Sequence, residues 1–216
     1  MRDGFYRRFG KRWLDVGLAG LALLVLSPLF LGLALAIWAI DGRPVLYHQE
    51  RIGKQGKPFL LLKFRTMVPS AENLGSITAA GDPRITPLGK FLRRTKLDEL
   101  PQLWNVFVGD MSLVGPRPEV PEYAQRLAEE AAEIFAVRPG ITSPASLTFR
   151  NEEQLLAAVA DPKKYNDEVL FPEKIRLNLQ YVRSCSLRLD LELIVKTALS
   201  LFRGPRPSGS VSGNTW

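Results

Sequence analysis

The longest apolar stretch of the chain runs from Val16 to Ile40, and it contains no charged side chain. About 20 apolar residues are enough for a helix to cross the hydrocarbon core of a bilayer. A cleavable signal peptide fits less well, because its apolar region covers roughly 7–15 residues and ends at a small-residue cleavage site. The pattern therefore predicts a membrane-embedded helical segment.

The centre of this stretch carries Ser27 and Pro28. Proline favours a bend because it lacks a backbone donor and clashes with the preceding turn, and the serine hydroxyl can donate to a carbonyl that the break leaves free. Basic side chains flank both ends, which draws both ends to the cytoplasm. We predict a re-entrant helix–break–helix, with an ordinary kinked spanning helix as the alternative. The flanking cations are Arg7, Arg8, Lys11 and Arg12 before the stretch, and Arg43, Arg51, Lys54 and Lys57 after it.

A β-hairpin is predicted after this segment, with strands at 45–52 and 58–67 and a Gly-containing turn at 53–56. Within the second strand, Lys63 and Arg65 alternate with a phenylalanine and so share one basic face. The following segment, 69–86, has no periodicity and is rich in Gly, Ser and Pro, which indicates a surface loop.

Helical spacing of apolar residues dominates the remainder of the chain. The segments 85–95 and 101–109 either lie in the lipid headgroup region as interfacial amphipathic helices or pack against a core. Further helices are predicted at 122–137, over most of 152–183 and at 187–204, and the Pro-, Ser- and Gly-rich end predicts a disordered tail. The predicted fold class is α+β, a mostly helical membrane-associated domain with a re-entrant segment, interfacial helices and a small β-hairpin. The predicted division is 1–42, 43–203 and 204–216.

Charge narrows the classes of partner. The 216 residues carry a formal net charge of +7, which points to anionic partners: nucleic acid, acidic lipid headgroups or phosphorylated substrates. A single cysteine, Cys185, excludes an internal disulfide framework and is compatible with a reducing compartment.

The dipeptide Asp98-Glu99 is the first candidate for chemistry. Pro101 favours a helix start just beyond it, where free N–H groups and the helix dipole would keep both carboxylates ionised. Adjacent helical residues point about 100° apart, so the pair cannot easily face each other across a glycosidic bond. Split roles fit better, one carboxylate attacking and one binding a hard cation such as Mg²⁺. Helix capping is the ordinary alternative.

Arginines held between rigid turn residues are the second candidate. Gly-Pro-Arg-Pro occurs at 115–118 and at 204–207, and its prolines fix the backbone around Arg117 and Arg206. A planar, bidentate guanidinium suits phosphate oxygens. We select Arg117, which follows an apolar helix, over Arg206 in the tail. Arg138, beside a Pro-Gly turn, is either a phosphate contact or a turn residue.

Several of these stretches together resemble one family, the monotopic phosphoglycosyl transferases or bacterial sugar transferases. They cover residues 11 to about 203 in family order. One departure is visible: the family usually continues "RPGIT" with a small residue, an aromatic or Leu, and Ala-Gln, whereas this chain reads "SPAS". The matching stretches are "KRWLD", the Ser27-Pro28 segment, "RIGKQGKPFLLLKFRTM", "DPRITPLGKFLRRTKLDELPQLWNVFVGDMSLVGPRP", "VRPGIT" and "YVRSCSLRLDLELIVKT".

The resemblance implies a two-step transfer at the cytoplasmic face of the bacterial inner membrane. Asp98 would take the phosphosugar of a UDP-sugar, releasing UMP, and undecaprenyl phosphate would then accept it. Glu99, with Asp98, would bind Mg²⁺. The resemblance also implies the re-entrant form of the membrane segment, no nucleic-acid partner, and a homodimer as one allowed assembly. The positions that match substrate-binding or basic positions of the family are Arg93, Arg117, Lys63, Arg65 and Arg138.

Two alternatives to this mechanism stay open. A membrane-anchored basic module that binds lipid or nucleic acid without catalysis would explain the charge, but not a carboxylate pair among arginines. A transferase that passes the phosphosugar directly in a ternary complex would need no covalent intermediate.

Overall fold

A computed structural model of the chain describes residues 3–69, 71 and 81–202. The predicted tail at 204–216, with Arg206, and most of the predicted loop at 69–86 lie outside the described residues. The described architecture is mostly helical with two small two-stranded sheets. This confirms the α+β class.

The apolar stretch forms two helices, α1 (Lys11–Val25) and α2 (Ser27–Ile40), preceded by helical turns at Asp3–Phe5 and Tyr6–Gly10. The axis bends by 61° at the break between them. Ser27 Oγ donates to the carbonyl of Leu24 at 2.8 Å, which confirms the predicted role of the serine hydroxyl. In the part of the chain that the structure describes, no single helix is long and apolar enough to cross a membrane, but the bent pair together meets that requirement by length and composition.

The predicted hairpin is present as β1 (Leu46–Ile52) and β2 (Pro58–Phe64), which pair antiparallel from Leu46 opposite Phe64 to Ile52 opposite Pro58. A tight turn at Lys54–Gly56 joins them. The prediction extended the second strand to residue 67, but regular pairing ends at Phe64 opposite Leu46. Beyond it the N–H of Arg65 donates to the Val45 carbonyl at 2.9 Å, and Met67 forms an isolated bridge with Ile85.

Helices α3 (Pro87–Thr95) and α4 (Gln102–Val108) pack between the bent pair and the hairpin. Both helices bury apolar side chains in the core, which confirms the core-packing alternative; each also exposes apolar side chains, and their location in the headgroup region stays a prediction. The buried members are Leu92, Leu103 and Val106; the exposed ones are Phe91, Trp104, Phe107 and Val108.

A short parallel pair, β3 (Ser112–Val114) and β4 (Gly140–Thr142), lies at the centre of the remaining chain. The sequence did not predict this pair. The predicted helix at 122–137 is divided, because Ala131 leaves helical geometry (φ −150°, ψ 46°). The elements around the pair are α5 (Pro121–Glu130), a 3₁₀ turn at Ala132–Ala136, α6 (Pro144–Thr148), α7 (Glu152–Ala157), α8 (Pro162–Tyr165), a π turn at Asn166–Leu170, α9 (Phe171–Ser184) and α10 (Leu187–Phe202).

A buried polar network ties the start of the bent pair to the last two helices. The carboxylate of Asp190 accepts hydrogen bonds from the hydroxyls of Tyr6 and Tyr181, each at 2.6 Å, and an ion pair from Lys11. Arg12 donates to the carbonyls of Val106 and Phe107 at the end of α4. The membrane-length segment is therefore joined to the rest of the chain by specific polar contacts as well as by packing.

Candidate functional site

The Asp98-Glu99 pair lies in a separate 3₁₀ turn, Leu97–Glu99, between α3 and α4. Pro101 occupies the position just before the first residue of α4. The N–H groups of Glu99 and Leu100 donate to carbonyls of this turn rather than to a carboxylate. The pKa of Glu99 is lowered, which agrees with the expectation of ionised carboxylates, whereas that of Asp98 is raised, against the expected direction.

Glu99 is held between two cations. Its Oε1 accepts a hydrogen bond from Arg117 Nη2 at 2.9 Å and lies 3.5 Å from Lys63 Nζ. Burial alone would raise the pKa of Glu99, but Arg117 and Lys63 outweigh it and hold that pKa well below its usual range. Burial lowers the pKa of Lys63, while Glu99 opposes this shift. Glu99 is thus ionised, and the positive charges of Arg117 and Lys63 balance its negative charge.

Asp98 differs from its neighbour because its Oδ1 is buried without a hydrogen-bond partner. Burial, and then the charge of Glu99, raise the pKa of Asp98; Lys63, Lys96 and Arg93 oppose this rise. A buried oxygen without a partner is unusual in folded proteins, where such groups are nearly always paired. The two adjacent carboxylates therefore differ in their surroundings: Glu99 is paired with cations, and Asp98 keeps one oxygen without a partner.

Lys96 lies two residues before Asp98 and was not selected from the sequence. It ends α3 in the left-handed conformation, with φ 59°. Lysine rarely adopts this conformation, which costs of order 1 kcal/mol or more and is found disproportionately at functional sites. Because the ammonium group also favours the ionised forms of both carboxylates, Lys96 belongs to the charged cluster.

Arg93 lies on the last turn of α3, and its charge acts on Asp98. Its Nε donates to Thr66 Oγ1 and its Nη1 to Glu153 Oε1, both at 2.9 Å. The hydrogen bond between Arg93 and Thr66 requires α3 to approach Thr66 closely. Glycine is needed at position 89 for this approach, since a Cβ there would lie 2.1 Å from the Thr66 carbonyl oxygen. Sequence reasoning missed Thr66 and Glu153, which have no spacing relation to Arg93.

The parallel strands place the Gly-Pro-Arg-Pro segment at 115–118 beside the Arg-Pro-Gly segment at 138–140. The N–H of Gly115 donates to Thr142 O at 2.9 Å, and that of Gly140 donates to Pro116 O at 2.8 Å. A Cβ at Gly140 would lie 2.1 Å from the Gly115 nitrogen, so glycine is required for this approach. The β3–β4 pair thereby sets the loop from which Arg117 reaches Glu99.

Two of the predicted substrate-binding residues lie elsewhere. Arg65 donates to the carbonyls of Arg43 at 2.6 Å, of Asp41 at 2.6 Å and of Gly42 at 2.9 Å, so it holds the turn after α2. Arg138 donates from Nε to Gly109 O at 2.8 Å, at the end of α4. The structure gathers Lys63, Arg93 and Arg117 around the carboxylates and does not bring Arg65 or Arg138 to them.

The two carboxylates are the residues suited to hold a divalent cation. Within residues 3–69, 71 and 81–202, no group of three or more His, Cys, Asp or Glu side chains forms a complete metal site. Mg²⁺ in phosphate chemistry is usually bound by one or two carboxylates together with substrate phosphates and water. The unpartnered Oδ1 of Asp98 beside the carboxylate of Glu99 fits such a partial site, which the substrate would complete.

Comparison with known proteins identifies one family. A family model described as bacterial sugar transferase matches residues 6–204. The chain is 37% identical over 203 residues to the UDP-glucose:undecaprenyl-phosphate glucose-1-phosphate transferase of Escherichia coli (strain K12), covering 91% of this chain and 40% of that protein. It is 32% identical over 212 residues to the undecaprenyl-phosphate galactose phosphotransferase of Salmonella typhimurium, covering 91% and 41%. It is 34% identical over 212 residues to the exopolysaccharide production protein ExoY of Rhizobium meliloti, covering 90% and 87%. The chain thus spans about 40% of the first two relatives and most of the third.

Proposed function

The chain belongs to the bacterial sugar transferase family, and from this membership we propose that it transfers a phosphosugar from a UDP-sugar to undecaprenyl phosphate and releases UMP. The names of the relatives support the polyprenyl acceptor and the sugar-phosphate product. The observation that carries the proposal is the buried, unpartnered Oδ1 of Asp98 next to a carboxylate that two cations neutralise.

The proposed first step is attack by Asp98. The ionised Oδ1 forms a bond to the sugar-linked phosphorus, and the bond from that phosphorus to the bridging oxygen breaks, so that UMP leaves with the electron pair. In the second step an oxygen of undecaprenyl phosphate attacks the same phosphorus and the aspartate leaves as a carboxylate. Phosphoryl transfer depends mainly on positioning and charge stabilisation, which Arg93, Arg117 and Lys63 are placed to supply.

A bound Mg²⁺ would neutralise diphosphate charge, with Glu99 and Asp98 as its protein ligands. Because Arg117 and Lys63 both contact Glu99 Oε1, they fix the orientation of this carboxylate before any ligand arrives. Glu99 stays ionised over the working pH range because its pKa is depressed.

The bent α1–α2 pair is proposed to be the membrane anchor, entering and leaving by the cytoplasmic face of the bacterial inner membrane. The 61° bend and the basic residues on both flanks support this topology. Large apolar side chains are exposed along the pair, including Leu24 at 73% and Ile40 at 67%. The exposed face of α4, with Trp104 and Phe107, would lie in the headgroup region. With this topology the site would lie where a soluble nucleotide sugar meets a lipid phosphate, and the reaction would be the first membrane step of polysaccharide assembly.

The test of the reaction is a panel of UDP-sugars with undecaprenyl phosphate, with UMP and the phosphosugar adduct on Asp98 as readouts. We expect Mg²⁺-dependent UMP release and a mass increase on the Asp98 peptide when the acceptor is omitted. Product formation with Asp98 unmodified, or intersecting initial-rate lines, would favour direct transfer in a ternary complex. Salt-dependent nucleic-acid binding without UMP release would favour the non-catalytic module.

The topology is tested by cysteine-accessibility labelling at positions 3 and 60 in a variant in which Cys185 is replaced by alanine. Labelling of both positions from the cytoplasmic side supports the re-entrant form. Labelling from opposite sides would establish a true span.

A further inference from the structure

Arg93 forms a hydrogen bond with Glu153, a residue of the helical region after β4, whereas the hydrogen bond of Arg117 goes to Glu99. Thr66 holds its Nε and Glu153 holds its Nη1, each at 2.9 Å. A guanidinium has five N–H donors in one plane, and two contacts at different nitrogens fix both the position and the orientation of that plane. The remaining donors of the plane stay available for phosphate oxygens.

The anchor on the Thr66 side is rigid. Thr66 is buried, with 7% of its surface exposed, and its carbonyl accepts the N–H of Thr86 at 3.0 Å. Gly89 packs directly against the same carbonyl. The hydroxyl of Thr66 therefore has a fixed position relative to α3, and it restrains one edge of Arg93.

Glu153, the second residue that contacts Arg93, lies on a helix that packs against neighbouring helices. Glu153 lies in the first turn of α7, which follows the Ser-Pro-Ala-Ser sequence at 143–146. Leu156 of α7 is buried with Phe149 and Leu177, and Glu152 forms a 2.6 Å ion pair with Lys174 of α9. Glu153 thus projects from a helix that is packed against the helical region, and its carboxylate is held by the ion pair with Arg93.

The Arg93–Glu153 ion pair is open to solvent on one side. Arg93 and Glu153 are partly buried, with side chains 21% and 46% exposed, which leaves the pair open to an incoming phosphate.

We propose that Glu153 is a positioning residue for the transfer. Together with Thr66 it orients Arg93 toward the phosphoryl group that Asp98 attacks. The segment 143–157 would then affect the reaction through the ion pair between Glu153 and Arg93. The inference rests on the proposed function, because it assigns a role within that reaction. A misplacement of about 1 Å in a positioned group can lower a rate by about 10²-fold, so the loss of this anchor should be measurable.

The experiment compares Glu153→Ala, Glu153→Gln and the control Glu173→Ala by steady-state UMP release. Glu173 forms an exposed ion pair with Arg176 on α9, away from the carboxylate pair, so its replacement removes an equivalent charge and contact. We expect Glu153→Ala to lower kcat/KM for the UDP-sugar about 10-fold or more. Glu153→Gln, which retains an oxygen acceptor for Nη1, should recover most of this loss, and the control should match the unsubstituted protein.

The outcomes separate this inference from the proposed function. A Glu153→Ala protein within twofold of the unsubstituted one, or a Glu153→Gln protein no better than the alanine variant, would overturn the positioning role. Thermal unfolding in detergent, run on the same samples, excludes a loss due to misfolding, which glutamine would not rescue selectively. If the unsubstituted protein releases no UMP with any UDP-sugar, the proposed function fails instead.

Discussion

Two buried aspartates, Asp98 and Asp190, show how the same side chain is used in two ways. Both are almost fully buried, with 6% and 1% of their surface exposed. Asp190 has both oxygens occupied, by Tyr181 on one and by Tyr6 and Lys11 on the other. Asp98 has one buried oxygen without a partner. Burial alone therefore does not separate the two aspartates; the number of oxygens with a hydrogen-bond partner does.

The physical reason is the cost of desolvation. A buried polar atom without a hydrogen bond costs about 1–3 kcal/mol, and a structure keeps such an atom only where surrounding contacts hold it in place. At Asp190 the network offsets the cost and joins distant elements. At Asp98 the cost is retained, and under the proposed reaction the substrate phosphorus would take the missing contact.

The largest expected effect is on turnover. Asp98→Asn should lower UMP release about 10⁴-fold or more, because the amide is not a nucleophile, while the fold stays intact. Asp190→Asn should retain most activity per folded molecule. The measurement is UMP release normalised to folded protein. Equal activity losses in the two variants would remove the distinction between the two aspartates.

The next effect concerns the partners of the carboxylate pair. Arg117→Ala should lower kcat/KM about 10²–10³-fold, since it removes a cation from the site and frees Glu99 from its 2.9 Å contact. Arg176→Ala, which breaks an exposed ion pair, is the matched control. An Arg117→Ala protein as active as the control would show that the contact with Glu99 is structural only.

For the free energy of unfolding, the two aspartate substitutions should rank in the opposite order to their effects on turnover. Asp190→Asn should lower the free energy of unfolding by about 3 kcal/mol, because it leaves the buried Lys11 and two tyrosine hydroxyls without their carboxylate. Asp98→Asn should leave the free energy of unfolding unchanged or slightly raised, because a neutral amide is cheaper to bury than a carboxylate. Denaturant unfolding in detergent measures both. A larger loss for Asp98→Asn than for Asp190→Asn would contradict the comparison.

The smallest expected effect is on pH dependence. The raised pKa of Asp98, caused first by burial and then by Glu99, means that the attacking form is lost as pH falls through a value above the usual aspartate range. Lys96→Met removes a cation that favours the ionised form, so the acid limb of kcat/KM should move to higher pH. Lys90→Met, an exposed lysine on α3, should leave the limb in place. Both variants are measured at one fixed Mg²⁺ concentration. An acid limb at the same pH in both would show that Lys96 does not act on Asp98.

The sequence by itself determined the features that depend on neighbours along the chain. The Ser27-Pro28 break, the hydrogen bond of the Ser27 hydroxyl, the β-hairpin and the α3 and α4 helices all follow from local periodicity and from the chemistry of single residues. The Asp98-Glu99 pair was visible for the same reason, because adjacent carboxylates among arginines are a local pattern. The family resemblance added roles to these residues, and the substrate and metal roles stay predictions.

Only the tertiary structure decided which distant groups meet. The parallel β3–β4 pair joins segments about 30 residues apart, and three-residue strands carry no periodicity that a sequence pattern can detect. Arg65 and Arg138 look like Arg93 and Arg117 in sequence, yet the first two bind backbone carbonyls. Glu153 reaches Arg93 across 60 positions. A charged side chain takes its role from the partner that folding brings to it, and that partner is set by packing between elements rather than by spacing along the chain.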